Sequence, residues 1–201
     1  MSVAGPSAPA RRWCTLADRA PPLDAWLAEL GVDVVDGGGE PEDAAFSRDV
    51  VLDGARRLDL RVTVAWVDGL GLSAWAQYGA EGMEVPRRVM ARMLRANFEY
   101  PFVKFGLTDD DRPLLISEIP PGSLDRNALG RTLTRLIVVA DRLQDQAAPG
   151  DPPVPADRPS RNQALLARFG AEVEAAMPPW QPAPRLARRR GLLERLLGPR
   201  R

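Results

Sequence analysis

Three places in this chain carry side chains of the types that chemistry uses: the run Asp109-Asp110-Asp111, the single lysine Lys104 and the single cysteine Cys14. Consecutive carboxylates suit a hard cation, but these lack the spaced ligands and the closing glutamate of a calcium loop, so they read as a solvated hairpin turn. Lys104 is either an amine whose burial would lower its pKa or a strand lysine guarding an exposed sheet edge, and the second is expected. Cys14 alone can neither close a disulfide within the chain nor build a thiolate zinc site, and reads as an inert thiol in a reducing compartment. No two acids are marked out as a proton-transfer pair.

The chain of 201 residues has no histidine. That removes the Ser-His-Asp triad, the Cys-His pair, imidazole zinc ligands and the side chain whose ordinary pKa lies nearest 7. An enzyme is therefore not expected, and no catalytic residue, cofactor or metal is assigned. The 27 basic and 27 acidic side chains cancel, so no overall field draws the molecule to nucleic acid or membrane. Their distribution is uneven. Residues 181–201 hold Arg185, Arg188, Arg189, Arg190, Arg195, Arg200 and Arg201 against Glu194, which makes a basic tail on an acidic body. No apolar run is long enough to span a bilayer, and the first residues, MSVAGPSAPARRW, lack the apolar stretch of a signal peptide. A cytoplasmic location is expected.

The elements that would position these groups follow from periodicity. Residues 1–21 are rich in small residues and proline and read as a flexible arm. Leu23, Trp26, Leu27 and Leu30 predict a short helix opened by Pro22 and stopped at Gly31, and residues 36–43 read as a glycine-rich loop. A strand over 46–52 precedes the clearest β signal, where Leu58, Leu60, Val62, Val64 and Trp66 alternate. Asp68-Gly69 then predicts a two-residue turn, with Trp66 opposite Gly71 and Val62 opposite Trp75. In that register Val67, Leu70, Leu72 and Tyr78 fall on the second face of the sheet. Pro86 opens a helix to Phe98, with Met90 and Met93 on its apolar side. Strands over 100–107 and 113–119 follow, paired so that Leu107 faces Leu114 and Phe102, Leu115 and Ile119 join the second face. Asp125 caps a long helix to about Gln144. The stretch 149–159 is a proline-rich linker, and Ser160 with Gln163 matches a capping box before a helix over 160–177 that carries Leu165, Phe169, Val173 and Met177.

This order predicts an α+β domain, helices layered on an antiparallel sheet. The segment VMARMLRANFEYPFVKFGLT, residues 89–108, together with LLISEIP at 114–120 and the helix through Leu136–Asp141, resembles the YbjN-like proteins, which share the fold of type III secretion chaperones. The likeness covers roughly residues 22–146 of an expected domain over 22–148 and leaves out the linker, the last helix and the tail over 178–201. It implies a homodimer that holds another protein by laying an extended segment across an apolar surface, and it implies no enzyme. No binding residue is carried over by position.

A second sheet face formed by Val67, Leu70, Leu72, Tyr78, Phe102, Leu115 and Ile119 would be more apolar surface than a monomer shows to water. Its cover is a partner segment, a twin subunit, or the chain's own helix 160–177 or N-terminal arm folding back. Met90 and Met93 belong to the core or to the same partner surface. The first functional reading is thus a dimeric, chaperone-like protein-binding module. The alternative is an accessory protein of nucleic-acid transactions acting through the arginine-rich tail.

Overall fold

The computed structural model describes residues 20–41, 43–77, 87–100, 102–147 and 161–178. One antiparallel sheet of six strands carries four helices, the α+β architecture expected. The strands are β1 (Val34–Gly38), β2 (Ala45–Leu52), β3 (Leu60–Val67), β4 (Gly71–Gln77), β5 (Lys104–Leu107) and β6 (Pro113–Ile119), in the spatial order β1-β2-β3-β4-β6-β5. The helices are α1 (Leu23–Glu29), α2 (Arg87–Glu99), α3 (Arg126–Ala147) and α4 (Gln163–Ala176). Strand β1 falls where a loop was expected. Two valines ahead of Asp36 and three glycines are a poor strand by composition, yet they pair with β2 through an irregular register between Val34 and Asp36. Pairing with an existing strand outweighs weak intrinsic preference.

Both predicted hairpin registers are off by one residue. Val67 pairs with Gly71, so the turn has three residues, Asp68 to Leu70, rather than two. Gly71 is the cause. It takes a φ of +100°, and a Cβ there would lie 2.3 Å from the Ile119 carbonyl oxygen, so only glycine can begin β4 this close to the end of β6. Leu107 likewise pairs with Pro113 rather than Leu114. A slip of one residue turns every side chain of a strand to the other face. Leu72, Ala74 and Ala76 therefore point into the core, beneath α3, where their small neighbours let the helix approach, while Trp75 points outward.

The core face reads as rows across the sheet. Phe46, Trp66, Leu72 and Ile119 form one, with the Phe46 and Trp66 rings 5.6 Å apart. Val50, Val62, Ala76, Leu115 and Phe105 form another. All four helices bury side chains in this single core. Helix α3 is its centre, with Leu129, Leu133, Leu136, Ile137 and Val139 buried, and the Asp125 carboxylate caps it by accepting from the Ala128 N–H at 2.7 Å.

Helix α4 packs on α3. Its Leu165, Phe169, Val173 and Met177 are buried, and Gly130 makes room for the Phe169 ring, which would stand 2.4 Å from a Cβ at that position. This helix adds to the core rather than folding over the second sheet face. The expected capping box is replaced: Asn162 precedes the helix and turns its amide to Asp53, accepting from the Asp53 N–H at 2.6 Å and donating to its carbonyl at 3.1 Å, while Ser160 lies outside the described residues. A second polar clip holds the loop after β2, where the Asp141 carboxylate of α3 accepts from the backbone N–H groups of Ala55, Arg56 and Arg57.

Candidate protein-binding surface

The corrected registers split the surface expected on the second sheet face. Leu72, Leu115 and Ile119 do share a face, but it is the core face, and all three are buried there with Met93. Val67 is half-buried on the outer face, Leu70 projects from the three-residue turn, and Tyr78 lies outside the described residues. The tail arginines Arg185, Arg188, Arg189, Arg190, Arg195, Arg200 and Arg201 also lie outside them, as do Cys14 and the linker 149–159.

The outer face is of mixed character. Asp49, Thr63, Trp75, Ile116 and Lys104 make one row across it, and the Thr63 hydroxyl donates to the Asp49 carboxylate at 2.6 Å. Its apolar members, Val51, Ala65, Val67, Trp75, Leu114 and Ile116, are half-buried among polar neighbours. The premise of two greasy faces thus gives way to one apolar and one mixed face.

Exposed apolar side chains gather instead where α2 meets the edge strand β5. Met93 and Ala96 turn inward, and Tyr100, just past the helix, packs its ring 6.3 Å from that of Phe105. On the other flank of α2, Leu94 is 63% and Phe98 is 94% exposed. One helical turn separates these two, so they form a single outward stripe. Phe102, in the turn after α2, is 52% exposed, and Leu107 at the end of β5 is 42% exposed. Between helix and strand runs an apolar groove of about 310 Å³ lined by Met90, Met93, Leu94, Phe105, Gly106 and Leu107.

Two residues outside the expected surface build this corner. Asn97 brackets Phe105: its side-chain oxygen accepts from the Phe105 N–H at 2.6 Å and its amide donates to the Phe105 carbonyl at 3.2 Å. The carboxamide stands in for a further strand and closes part of the sheet edge. A lone amide among the apolar positions of a predicted helix was the signal available in sequence. Lys104 is exposed on this edge strand, with Nζ donating to the Asn97 carbonyl oxygen at 2.8 Å, so the buried-amine reading does not hold.

Arg135 of α3 lays its guanidinium over the Phe102 ring, 4.1 Å from the centroid. Burial, with Arg131 nearby, holds its pKa below the ordinary arginine value. Arg142 donates to Glu174 at 2.8 Å and to the Pro178 carbonyl at 2.9 Å and stands beside Tyr100. Burial pushes the Tyr100 hydroxyl up from its usual pKa, opposed by Arg142. The acidic run is the expected turn: Thr108 N–H donates to the Arg112 carbonyl at 2.9 Å, Arg112 pairs with Asp110 at 2.6 Å, and Asp111 adopts a φ of +58°. The Thr108 hydroxyl, donating to Asp110, holds that carboxyl below its usual pKa. Among the described residues no cluster of three or more acidic or cysteine side chains is placed to hold a metal ion, and no helix is long and apolar enough to cross a membrane.

No family model matches this chain, and no curated protein matches it. Among solved structures it is similar to a chain of the heterodimeric complex ExoU-SpcU from the type III secretion system of Pseudomonas aeruginosa, at 25% identity and a TM-score of 0.42, over 61% of this chain and 94% of that one.

Proposed function

We propose that this chain is a non-enzymatic, chaperone-like protein-binding module that pairs as a homodimer through apolar surface at the α2–β5 corner and holds a protein partner on that same surface when the partner displaces the twin. The observation that carries this reading is the outward stripe of Leu94 and Phe98 beside the groove of Met90, Met93 and Leu107. A phenylalanine left 94% exposed one turn from a 63% exposed leucine contributes nothing to the chain's own core. Contiguous apolar area of this kind marks an interaction site when a folded protein retains it. The methionines lining the groove adapt to differently shaped partners. The lack of any histidine in the chain supports binding rather than proton-transfer chemistry.

The test is the doubly charged variant Leu94→Glu with Phe98→Glu, followed by sedimentation equilibrium and thermal melting. The wild type is expected to self-associate at micromolar concentration, and the variant to sediment as a monomer with an unchanged melting temperature. A wild type that stays monomeric at high concentration removes the dimer. A variant that associates as the wild type does removes this surface.

A further inference from the structure

Helix α3 carries four arginines, and three of them are matched to carboxylates. On α3, Arg131 faces Glu172 at 3.8 Å, Arg142 donates to Glu174 at 2.8 Å, and Arg126 pairs with Glu29 of α1. Arg135 lies four residues beyond Arg131 and seven before Arg142, on the same stripe of the helix. Among the described residues it meets no carboxylate or carbonyl oxygen. Its partner is the face of Phe102. A guanidinium stacked by its face on an aromatic ring keeps the N–H donors around its edge free, and they form a planar fork whose spacing matches the two oxygens of a carboxylate. The ring contact also restricts the guanidinium, so less side-chain freedom is lost when an anion arrives. Burial and the neighbouring Arg131 both disfavour the charged form, and Glu172, the partner of Arg131, offsets only part of that cost from a distance.

The ring beneath the guanidinium is itself 52% exposed and lies four residues past Phe98, in the turn that ends α2. A cation that pairs with no carboxylate among the described residues thus sits by the turn that leads out of the apolar corner. We infer that Phe102 and Arg135 together read an acidic side chain on the bound polypeptide: its carboxylate takes the two edge donors of Arg135, and an apolar neighbour of that acid packs on the open part of the Phe102 ring. The inference rests on the reading of this corner as a protein-binding surface and adds the chemistry of the segment it selects, an aspartate or glutamate set beside apolar residues. Charge complementarity is what selects this occupant. A purely apolar segment would leave the Arg135 fork desolvated and unpaired, and a basic one would place like charges together.

The experiment uses the full chain and a matched set of 14-residue Ser/Gly-rich peptides, each with two leucines and one glutamate placed one to four residues away. A second set carries glutamine at the same positions. Binding is followed by changes in the backbone amide spectrum of the isotope-labelled protein. At the best spacing the wild type is expected to favour glutamate over glutamine on the order of tenfold, as one charge-assisted hydrogen-bonded pair supports. In Arg135→Gln that preference falls to about one while the leucine-dependent affinity persists; in Phe102→Ala, whose cation has lost its platform, the preference falls likewise and the leucine-dependent affinity weakens with the loss of the ring. Arg135→Lys keeps charge and stem without the fork and falls between; it takes the place of Arg135→Gln if that variant melts below the wild type. Equal binding of the two sets by the wild type, or a preference that survives Arg135→Gln, overturns the inference and leaves the binding surface standing. No binding of any peptide, with Leu94→Glu and Phe98→Glu also without effect on association, overturns both.

Discussion

Helices α2 and α4 are of nearly equal length, 13 and 14 residues, and carry similar apolar side chains, yet they are used in opposite ways. On α4 the apolar residues recur every fourth position, Leu165, Phe169 and Val173, with Met177 just beyond the helix, and this narrow stripe is swallowed by α3. On α2 the apolar arc is wider. Met93 and Ala96 face the core, and Leu94 and Phe98, on the adjoining flank, face out. Phe169 is 3% exposed and Phe98 is 94% exposed. An apolar stripe that one neighbour can cover is structural. An arc broader than that leaves surface for another molecule.

The largest effects are expected on the α4 side. Phe169→Ala should cost about 3–5 kcal/mol, the usual range for emptying a buried aromatic site, read as a lower midpoint in urea with an unchanged slope. Gly130→Ala sharpens the point. In an exposed helix interior that exchange would add about 1 kcal/mol of stability, whereas here the added carbon meets the Phe169 ring at 2.4 Å and the sign should reverse. Phe169→Leu in the same chain should recover part of the loss. A stabilising Gly130→Ala would mean that α4 is not seated on α3.

The next effect compares two asparagines that make the same pair of bonds. Asn162 brackets the backbone of Asp53 in the interior, and Asn97 brackets that of Phe105 at the sheet edge, with near-identical distances. Water can replace the amide only at the edge. Asn162→Ala should cost about 2–3 kcal/mol because a buried N–H and carbonyl lose their partners, and Asn97→Ala nearer 1 kcal/mol. Hydrogen exchange at the Phe105 amide should also rise in Asn97→Ala, because that N–H is then held only by solvent. Equal costs at the two sites would show that the corner is as closed as the interior.

The stripes of α3 and α4, the position of α2 and the paired strands were legible because each is a local repeat of apolar residues, and the Asp125 cap because its geometry is local too. The two registers were not. Whether Asp68-Gly69 closes a turn of two residues or of three depends on Gly71 passing under the Ile119 carbonyl, a contact between strands about fifty positions apart in the chain. That single residue decides whether Leu72 or Trp75 enters the core, and with it the whole surface assigned to Leu72, Leu115 and Ile119. Strand β1 was hidden because its glycines mark turns in isolation and are tolerated in a strand only when β2 supplies the pairing. The exposed apolar corner was half legible: Met90 and Met93 were singled out, but which flank of α2 the core would claim is set by Phe105 and Tyr100 arriving from the following segment.

The smallest effect appears only in alkali and tests whether the seam between the two regions is dry. The chain has two tyrosines. Tyr100 is buried against Phe105, and its hydroxyl stands by Arg142, which is itself fixed to Glu174 and Pro178 of the α4 end. Burial raises the folded pKa of Tyr100 above the unfolded value near 10, and Arg142 offsets only part of that rise. For a raised pKa the contribution to stability is complete below the unfolded value and is lost as pH rises through the folded one. Ultraviolet titration should therefore show one phenol ionising above the usual range and absent in Tyr100→Phe. The wild type should lose stability relative to Tyr100→Phe on passing from pH 9 to above 10, with no divergence between pH 6 and 9. A phenol at Tyr100 that titrates normally would mean that water already reaches the seam, and the contrast between a sealed α3–α4 side and an open α2–β5 corner would shrink to Leu94 and Phe98 alone.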